Sequence, residues 1–348
     1  MFDLPDFDAH EGVHAFHDAE SGLRCIIAIH STVLGPSAGG TRMWDYGSGA
    51  EMLTDALRLS KGMSYKNAIA GIPHGGGKAV IWGNSKTDKS EAMFLALGRA
   101  VESLQGRYYT AEDVGIETAD IEIAARETKY AAGLTSGTAA SGDPSPVTGK
   151  GVFLGIKQAA LRAFGSDDLS GRTVAVQGVG SVGGYACQHL AEAGAKLLIS
   201  DIDTEALALI KKTYDAEIVG IDDIYDAEAD IFSPNALGAI INHKTLKRLK
   251  AKVIAGGANN QLASPEMGAL VRDAGIIYAP DYVINGGGII NVASEISGTY
   301  SEAWVYEKLD TLMTTLGEVL DTAIESGRPT NVVADEIAMA RIAAGRKA

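Results

Sequence analysis

Basic residues are scarce in this 348-residue chain: 30 Lys and Arg stand against 44 Asp and Glu, a formal net charge of −14. Nucleic acid and anionic membrane both need basic patches, so neither is an expected partner. Cysteine is nearly absent. Cys25 and Cys187 have no metal-ligand or redox spacing, so no metal site is expected, and a reduced, cytoplasmic setting with buried, inert thiols fits. No apolar run approaches the roughly 18–20 residues of a membrane span. The opening, MFDLPDFDAHE, lacks a basic n-region and an apolar core, so it does not read as a signal peptide. Internal repeats and low-complexity tracts are lacking too, and the length is enough for two domains with substantial cores.

What the chain does have is glycine, 42 residues gathered in short motifs and not in linkers, a pattern that favours an α/β enzyme over a disordered protein. Residues 23–30 read as a strand, and 50–63 as a helix leading to Lys66. KAVIWG at 78–83 reads as a strand, and 90–104 as an amphipathic helix with Ser90 a candidate N-cap. The stretch SGTAASGDPSPVTGKG at 136–151 has no apolar pattern and marks a boundary. Beyond it strand and helix alternate, which predicts a parallel, doubly wound sheet. The segment from about Glu302 is helical again, and its last part is expected to return to the first domain.

Lys66 and Lys78 bracket KNAIAGIPHGGGK. Lysine is seldom buried, and here its neighbours are apolar. Gly75, Gly76 and Gly77 read as a turn that permits positive φ and close approach to a ligand. A partly buried lysine on such a turn can work as an acid or base near neutrality. The competing reading is a glycine turn between two solvated lysines.

Gly178-Val179-Gly180-Ser181-Val182-Gly183 is G-x-G-x-x-G, placed directly after the apolar strand TVAVQ and at the start of a helix. Asp201 ends the next strand at the spacing a dinucleotide fold needs. The glycines allow a tight turn, the pyrophosphate sits on the helix N-terminus, and Asp201 meets the adenosine ribose. That carboxylate would repel the extra phosphate of NADP, so the expected cofactor is NAD. A P-loop reading of Lys78 fails, because Ile72 stands where the first glycine belongs and Ala79 where Ser or Thr does.

With these motifs in place the chain resembles the Glu/Leu/Phe/Val dehydrogenase family, most nearly its leucine, valine and phenylalanine branch. The matching segments are GPSAGGTRM, MSYKNAIAGIPHGGGKAVI, YYTAEDVG, PVTGKGV, GVGSVG, NALGAI, AGGANNQL and DYVINGGGIINVASE, in order from about residue 35 to 295. The resemblance implies oxidative deamination of an L-amino acid to a 2-oxo acid and ammonia, with NAD reduced. It implies that Lys66, with Gly39 and Gly40, holds the substrate carboxylate. Lys78 would activate the attacking water, and Asp113 would carry protons to and from the amino nitrogen. Asn260 is placed between substrate and nicotinamide, Thr148 near the nicotinamide amide, and Ala236 and Gly238 along the cofactor. His74 is expected to be neutral and structural, Arg42 to form a structural ion pair, and Asn259 to cap backbone. The sequence departs from the family pattern at Gly286, in INGGG, and by extra residues from Thr138 to Ser141.

The family's side-chain pocket falls on Ala38, Ala111, Ile289 and Val292, all apolar, so a γ-carboxylate would be buried unpaired and glutamate is disfavoured. Ala38 favours a bulky side chain such as phenylalanine; Ala111 and Val292 favour leucine. The expected architecture is two α/β domains flanking a cleft. Residues 1–145 with the helices after about 320 form a substrate and oligomerisation domain, and 146–319 form a Rossmann NAD-binding domain. Family members are homo-oligomers, so a dimer or higher state is expected. A glutamate or amine dehydrogenase, or a non-catalytic NAD-binding sensor, are the rival readings.

Overall fold

A computed structural model describes residues 1–135, 140–298 and 300–346. The extra residues Thr138 and Ala139 lie outside them. The chain divides into two compact units, Met1–Asp143 with Ile289–Val305 and Ala338–Ala348, and Pro144–Gly288 with Tyr306–Ile337.

The first unit is built from β1 (Gly12–Asp18), β2 (Leu23–Ser31), β3 (Ser37–Ala38), β4 (Thr41–Trp44), α1 (Gly49–Ile69), β5 (Gly75–Trp82), α2 (Glu91–Glu102), β6 (Tyr108–Tyr109) and α3 (Thr118–Ala124). Its mixed sheet runs β1-β2-β5-β3-β6, with β4 also paired to β5. Alternation along the strands divides the side chains between two faces. Ile27, Ile29, Ala79 and Ile81 pack with Phe94 and Leu97 of α2. Ala28 and Val80 pack with Met52 and Ala56 of α1. Ser90 caps α2 as expected, accepting from the Met93 N–H.

The second unit contains α4 (Ser145–Phe164), β7 (Thr173–Gln177), α5 (Ser181–Glu192), β8 (Lys196–Ser200), α6 (Thr204–Tyr214), β9 (Glu217–Ile218), β10 (Ile231–Pro234), β11 (Val253–Ile254), α7 (Met267–Asp273), β12 (Ile277–Tyr278) and α8 (Asp281–Ile284). Its sheet is parallel in every pair and ordered β12-β11-β10-β7-β8-β9. This is the doubly wound dinucleotide-fold order, which reverses direction between β7 and β10, and such folds bind ligand at the strand ends there. The remaining helices are α9 (Gly287–Ile296), α10 (Glu302–Ser326) and α11 (Thr330–Gly345).

The structure departs from the sequence reading in several places. Gly75, Gly76 and Gly77 are the first residues of β5, not a turn before it, and none has positive φ. They are required by packing: a Cβ on Gly76 would lie 2.0 Å from the Ser64 amide nitrogen of α1. The PSPVTGKG stretch is already helical, so Thr148 sits in the opening of α4 with Pro146 in its first turn. The segment DYVI after β12 forms the short helix α8.

The C-terminal return is shorter than the expected 320–348, because Tyr306–Ile337, most of α10 and the first half of α11, belong to the second unit. There Arg162 of α4 grips Asp321 with two hydrogen bonds of 2.9 and 2.6 Å. Only residues from Ala338 on join the first unit, where Arg341 donates to the Ile69 carbonyl at the end of α1, 2.6 Å away. Residues 289–305 also belong to the first unit. Buried Glu295 of α9 accepts the backbone N–H groups of Gly133 (2.9 Å), Leu134 (3.1 Å) and Ser141 (3.1 Å), and the Ser141 hydroxyl (2.7 Å). Glu295→Leu would strand these donors and is expected to lower unfolding free energy by about 2–4 kcal/mol. Urea denaturation measures this; a midpoint equal to that of the parent protein would refute the clamp.

Candidate active site

Lys78 lies on the α1-facing side of β5 by the strand's alternation: Gly76, Lys78 and Val80 point toward α1, while Gly77, Ala79 and Ile81 point away. The lysine is therefore carried into the interior, and it is 4% exposed. Two close approaches hold its surroundings. A Cβ on Gly39 would lie 1.9 Å from the Gly77 carbonyl oxygen, and one on Gly40 would lie 2.9 Å from the Asp113 Cβ. The buried Tyr108 hydroxyl ties these strands, accepting from the Ala79 N–H at 3.1 Å and donating to the Gly39 carbonyl at 2.7 Å.

The Lys78 Nζ lies 2.8 Å from Asp113 Oδ2. Arg42 Nε donates to the same oxygen at 3.1 Å. Arg42 Nη1 reaches both oxygens of Asp55, at 3.4 and 3.3 Å, and the Tyr46 hydroxyl donates to Asp55 Oδ2 at 2.6 Å. The order Lys78, Asp113, Arg42, Asp55, Tyr46 is thus a continuous chain of alternating charge ended by a phenol.

Burial pushes the Lys78 ammonium below the ordinary lysine range; the Asp113 carboxylate opposes this and the Arg42 charge adds to it. For Asp113, burial works upward, but the charges of Lys78 and Arg42 outweigh it and hold the carboxyl below its usual value. An ionised carboxylate against a lysine whose burial favours loss of its proton is an arrangement able to pass protons.

Lys66 is half-buried near the end of α1. The next residue, Asn67, donates to the Gly75 carbonyl (2.5 Å) and the Ala38 carbonyl (3.3 Å), which fixes the helix end against β5 and β3. Ala38 is buried and pairs with Gly76 and Tyr109; Ala111 is half-buried, and its carbonyl accepts from the Thr41 N–H. Ile289 and Val292 lie three residues apart on α9 and are half-buried. His74 is buried, its Nδ1 lies 3.2 Å from the Pro36 carbonyl oxygen, and burial lowers its pKa, so it is neutral at pH 7. Both cysteines are buried, each thiol pushed up to about 12 by desolvation.

In the second unit Gly178 takes φ +90°, a left-handed conformation suited to glycine, and a Cβ there would lie 2.8 Å from the Ala236 amide nitrogen. The loops after β7 and β10 therefore touch where the strand order reverses. Gly180 is the N-cap of α5 and has no side chain to accept from the first turn, which leaves that turn's N–H groups to an anion. Asp201 Oδ2 accepts from the Val179 N–H at 2.7 Å and Oδ1 from the Asp203 N–H at 2.9 Å. Each oxygen keeps a lone pair for a hydroxyl. Gly238 lies against the Asn259 and Asn260 carbonyls, and the Asn260 carbonyl accepts from the Ala239 N–H at 2.6 Å. Asn259 takes a hydrogen bond from Asn285 at 2.7 Å. Thr148 donates to the Pro144 carbonyl at 2.9 Å, and the adjacent Gly149 packs on Val182 and Tyr185 of α5. The loop glycines, the bare helix start and Asp201 fit a dinucleotide.

Sequence reasoning gave Arg42 only a structural ion pair and did not single out Asp55, Tyr46 or Glu295. Asp55 offered one signal, a carboxylate beside the apolar positions Met52 and Ala56 of a helix.

Among the described residues no helix is long and apolar enough to cross a membrane, and no group of three or more His, Cys, Asp or Glu could hold a metal ion. Residues 10–130 match the family model "Glu/Leu/Phe/Val dehydrogenase, dimerisation domain", and residues 141–206 and 199–348 match "Glutamate/Leucine/Phenylalanine/Valine dehydrogenase". Leucine dehydrogenase of Geobacillus stearothermophilus is 52% identical over 339 residues, 97% of this chain and 92% of the relative. Phenylalanine dehydrogenase of Lysinibacillus sphaericus is 47% identical over 298 residues, 84% of this chain and 78% of the relative. The crystal structure of L-tryptophan dehydrogenase from Nostoc punctiforme superposes with a TM-score of 0.87 at 42% identity, covering 97% of each chain.

Proposed function

Because the chain belongs to the Glu/Leu/Phe/Val dehydrogenase family, a family of NAD(P)-dependent oxidoreductases, we propose that it catalyses the reversible, NAD-dependent oxidative deamination of a hydrophobic L-amino acid. The products are the 2-oxo acid, ammonia and NADH. The observation that carries this reading is the buried Lys78 with its Nζ 2.8 Å from Asp113. In this proposal the first unit holds the amino acid and the second the dinucleotide. The name of the first family model supports an oligomer, and we propose a homo-oligomer.

The chain's own groups then act as follows. Lys66, with the Gly39–Gly40 backbone, holds the substrate carboxylate. Asp113, ionised in the free protein, takes a proton from the substrate ammonium, so that the nitrogen lone pair can expel the Cα hydrogen as hydride. Bound NAD supplies the acceptor for that hydride. Lys78, neutral in this step, takes a proton from water as its oxygen adds to the iminium carbon. The proton on Asp113 moves to the amine of the resulting carbinolamine. As the C–N bond breaks and the C=O forms, the carbinolamine hydroxyl gives its proton to the re-ionised Asp113, which passes it to the departing ammonia as ammonium, and Lys78 releases its proton to solvent. The balance is amino acid, water and NAD going to oxo acid, ammonium, NADH and one proton. Ala38, Ala111, Ile289 and Val292 would meet the substrate side chain and give no partner to a charge. Asp201 would meet the ribose, and like-charge repulsion there disfavours NADP.

The test is a panel of L-amino acids, simple amines and glutamate at alkaline pH, with NAD or NADP, read as absorbance of the reduced cofactor. Turnover is expected on leucine, valine or phenylalanine with NAD, and at least tenfold less with NADP. No turnover on any of them would overturn the proposal, and turnover on glutamate alone would overturn the side-chain assignment.

A further inference from the structure

Arg42 is not needed as a substrate ligand in the mechanism above, yet it occupies the centre of the charged chain. It comes from β4, whose parallel pairing to β5 sets Arg42 opposite Val80, two residues beyond Lys78. Its guanidinium is fork-shaped and planar, so Nε and Nη1 bonds to two different carboxylates fix its plane. Asp55, in the second turn of α1, is itself held by the Tyr46 hydroxyl at 2.6 Å. Asp113 Oδ2 consequently has two cationic donors, Lys78 at 2.8 Å and Arg42 at 3.1 Å.

We propose that Arg42 is the positioning residue of the acid–base pair: backed by Asp55 and Tyr46, it holds Asp113 by Oδ2 and makes Oδ1 the oxygen that exchanges the proton with the substrate amine. This rests on the reading of Lys78 and Asp113 given above. An oxygen facing two cations is the poorer base of the two, so an arriving proton goes to Oδ1. Holding one oxygen also fixes the carboxylate plane, and proton transfer is sensitive to that placement. The groups acting on Lys78 are Asp113 from the segment after β6, Arg42 from β4 and Asp55 from α1, the helix that also carries Lys66. Arg42 favours the neutral amine, whereas Asp55 and Asp113 favour the ammonium. Removing Arg42 and removing Asp55 therefore shift the titration of Lys78 in opposite directions.

The experiment measures kcat, amino acid KM and the pH dependence of kcat for Arg42→Gln, Arg42→Lys and Asp55→Asn, with Lys78→Ala alongside and folding checked by circular dichroism. Arg42→Gln is expected to lower kcat ten- to a hundredfold with a change in KM of less than threefold, and to move the ascending limb of kcat to higher pH. Arg42→Lys restores the limb but not full kcat, because it keeps the charge and loses the fork. Asp55→Asn moves the limb to lower pH, and it decides the matter if Arg42→Gln fails to fold. Parent-like kcat in Arg42→Gln, or limbs unmoved in both Arg42→Gln and Asp55→Asn, would overturn the proposal. An active Lys78→Ala would instead show that the underlying reading of the pair is wrong.

Discussion

Replacing Lys78 by alanine is expected to remove at least a thousandfold of kcat while leaving NAD binding unchanged. Two losses combine. The general base for water goes, typically worth about 10²–10⁴, and so does the cation that faces Asp113 Oδ2 at 2.8 Å. The smaller side chain also opens space in a site that is otherwise 4% exposed at this residue, admitting water around Asp113 and weakening every charge interaction there. NAD binding belongs to the second unit in our proposal, so titration of the variant with NADH, followed by cofactor fluorescence, should give the parent dissociation constant. Activity within tenfold of the parent would exclude Lys78 as the base, and a lost NADH affinity would exclude the division of roles.

The second large effect is expected from Asp113→Asn. The amide keeps the shape but cannot take the proton from the substrate ammonium, and kcat should fall about 10²–10³-fold. Its sign on pH is also defined. The Asp113 carboxylate raises the pKa of Lys78 against the lowering by burial. Without that charge the residual activity should rise at lower pH than the parent's. The carboxyl of Asp113 is itself held below its usual value by the Lys78 and Arg42 charges against the upward push of burial. It therefore stabilises the folded state at pH above the ordinary aspartate range, and this contribution is lost as pH falls through the lowered pKa. Asp113→Asn should accordingly flatten the acid side of the stability curve. A pH–kcat profile and urea midpoints between pH 3 and 8 check the two statements; a residual limb at higher pH than the parent's would contradict the first.

The features that were legible before the structure are those encoded over short spans. Strand, glycine loop, helix and Asp201 follow one another within a single βαβ unit, so the period and the motif suffice. Ser90 as a cap is equally local. Gly75–Gly77 were misread because three glycines resemble a turn when their neighbours are unknown. Their cause is close packing, of Ser31 against Gly75, Ser64 of α1 against Gly76, and Ser37 and Tyr108 against Gly77, contacts that no local pattern reports. The same holds for Arg42, which meets Asp113 across 71 positions of chain, and for Glu295, which reaches back 162 positions to Gly133. Side chains that finish a site from a distance carry no periodicity. α9 was missed for a related reason: a Cβ on Gly287 would lie 2.7 Å from the Val147 carbonyl, so its glycines serve packing against α4 and do not end a helix.

Asp201 also sets a limit on redesign. Its carboxylate anchors the glycine loop after β7 through the Val179 amide and shapes the start of α6 through the Asp203 amide. Deleting this side chain to change coenzyme preference would slacken the loop along with the proposed ribose contact, and affinity for either coenzyme is expected to suffer. The adjoining Ile202, 85% exposed, is the more promising place to introduce a positive charge, with an acceptor such as asparagine retained at 201. In the proposed site Asp201 both anchors this loop and discriminates between coenzymes, so a change of preference has to separate those two duties.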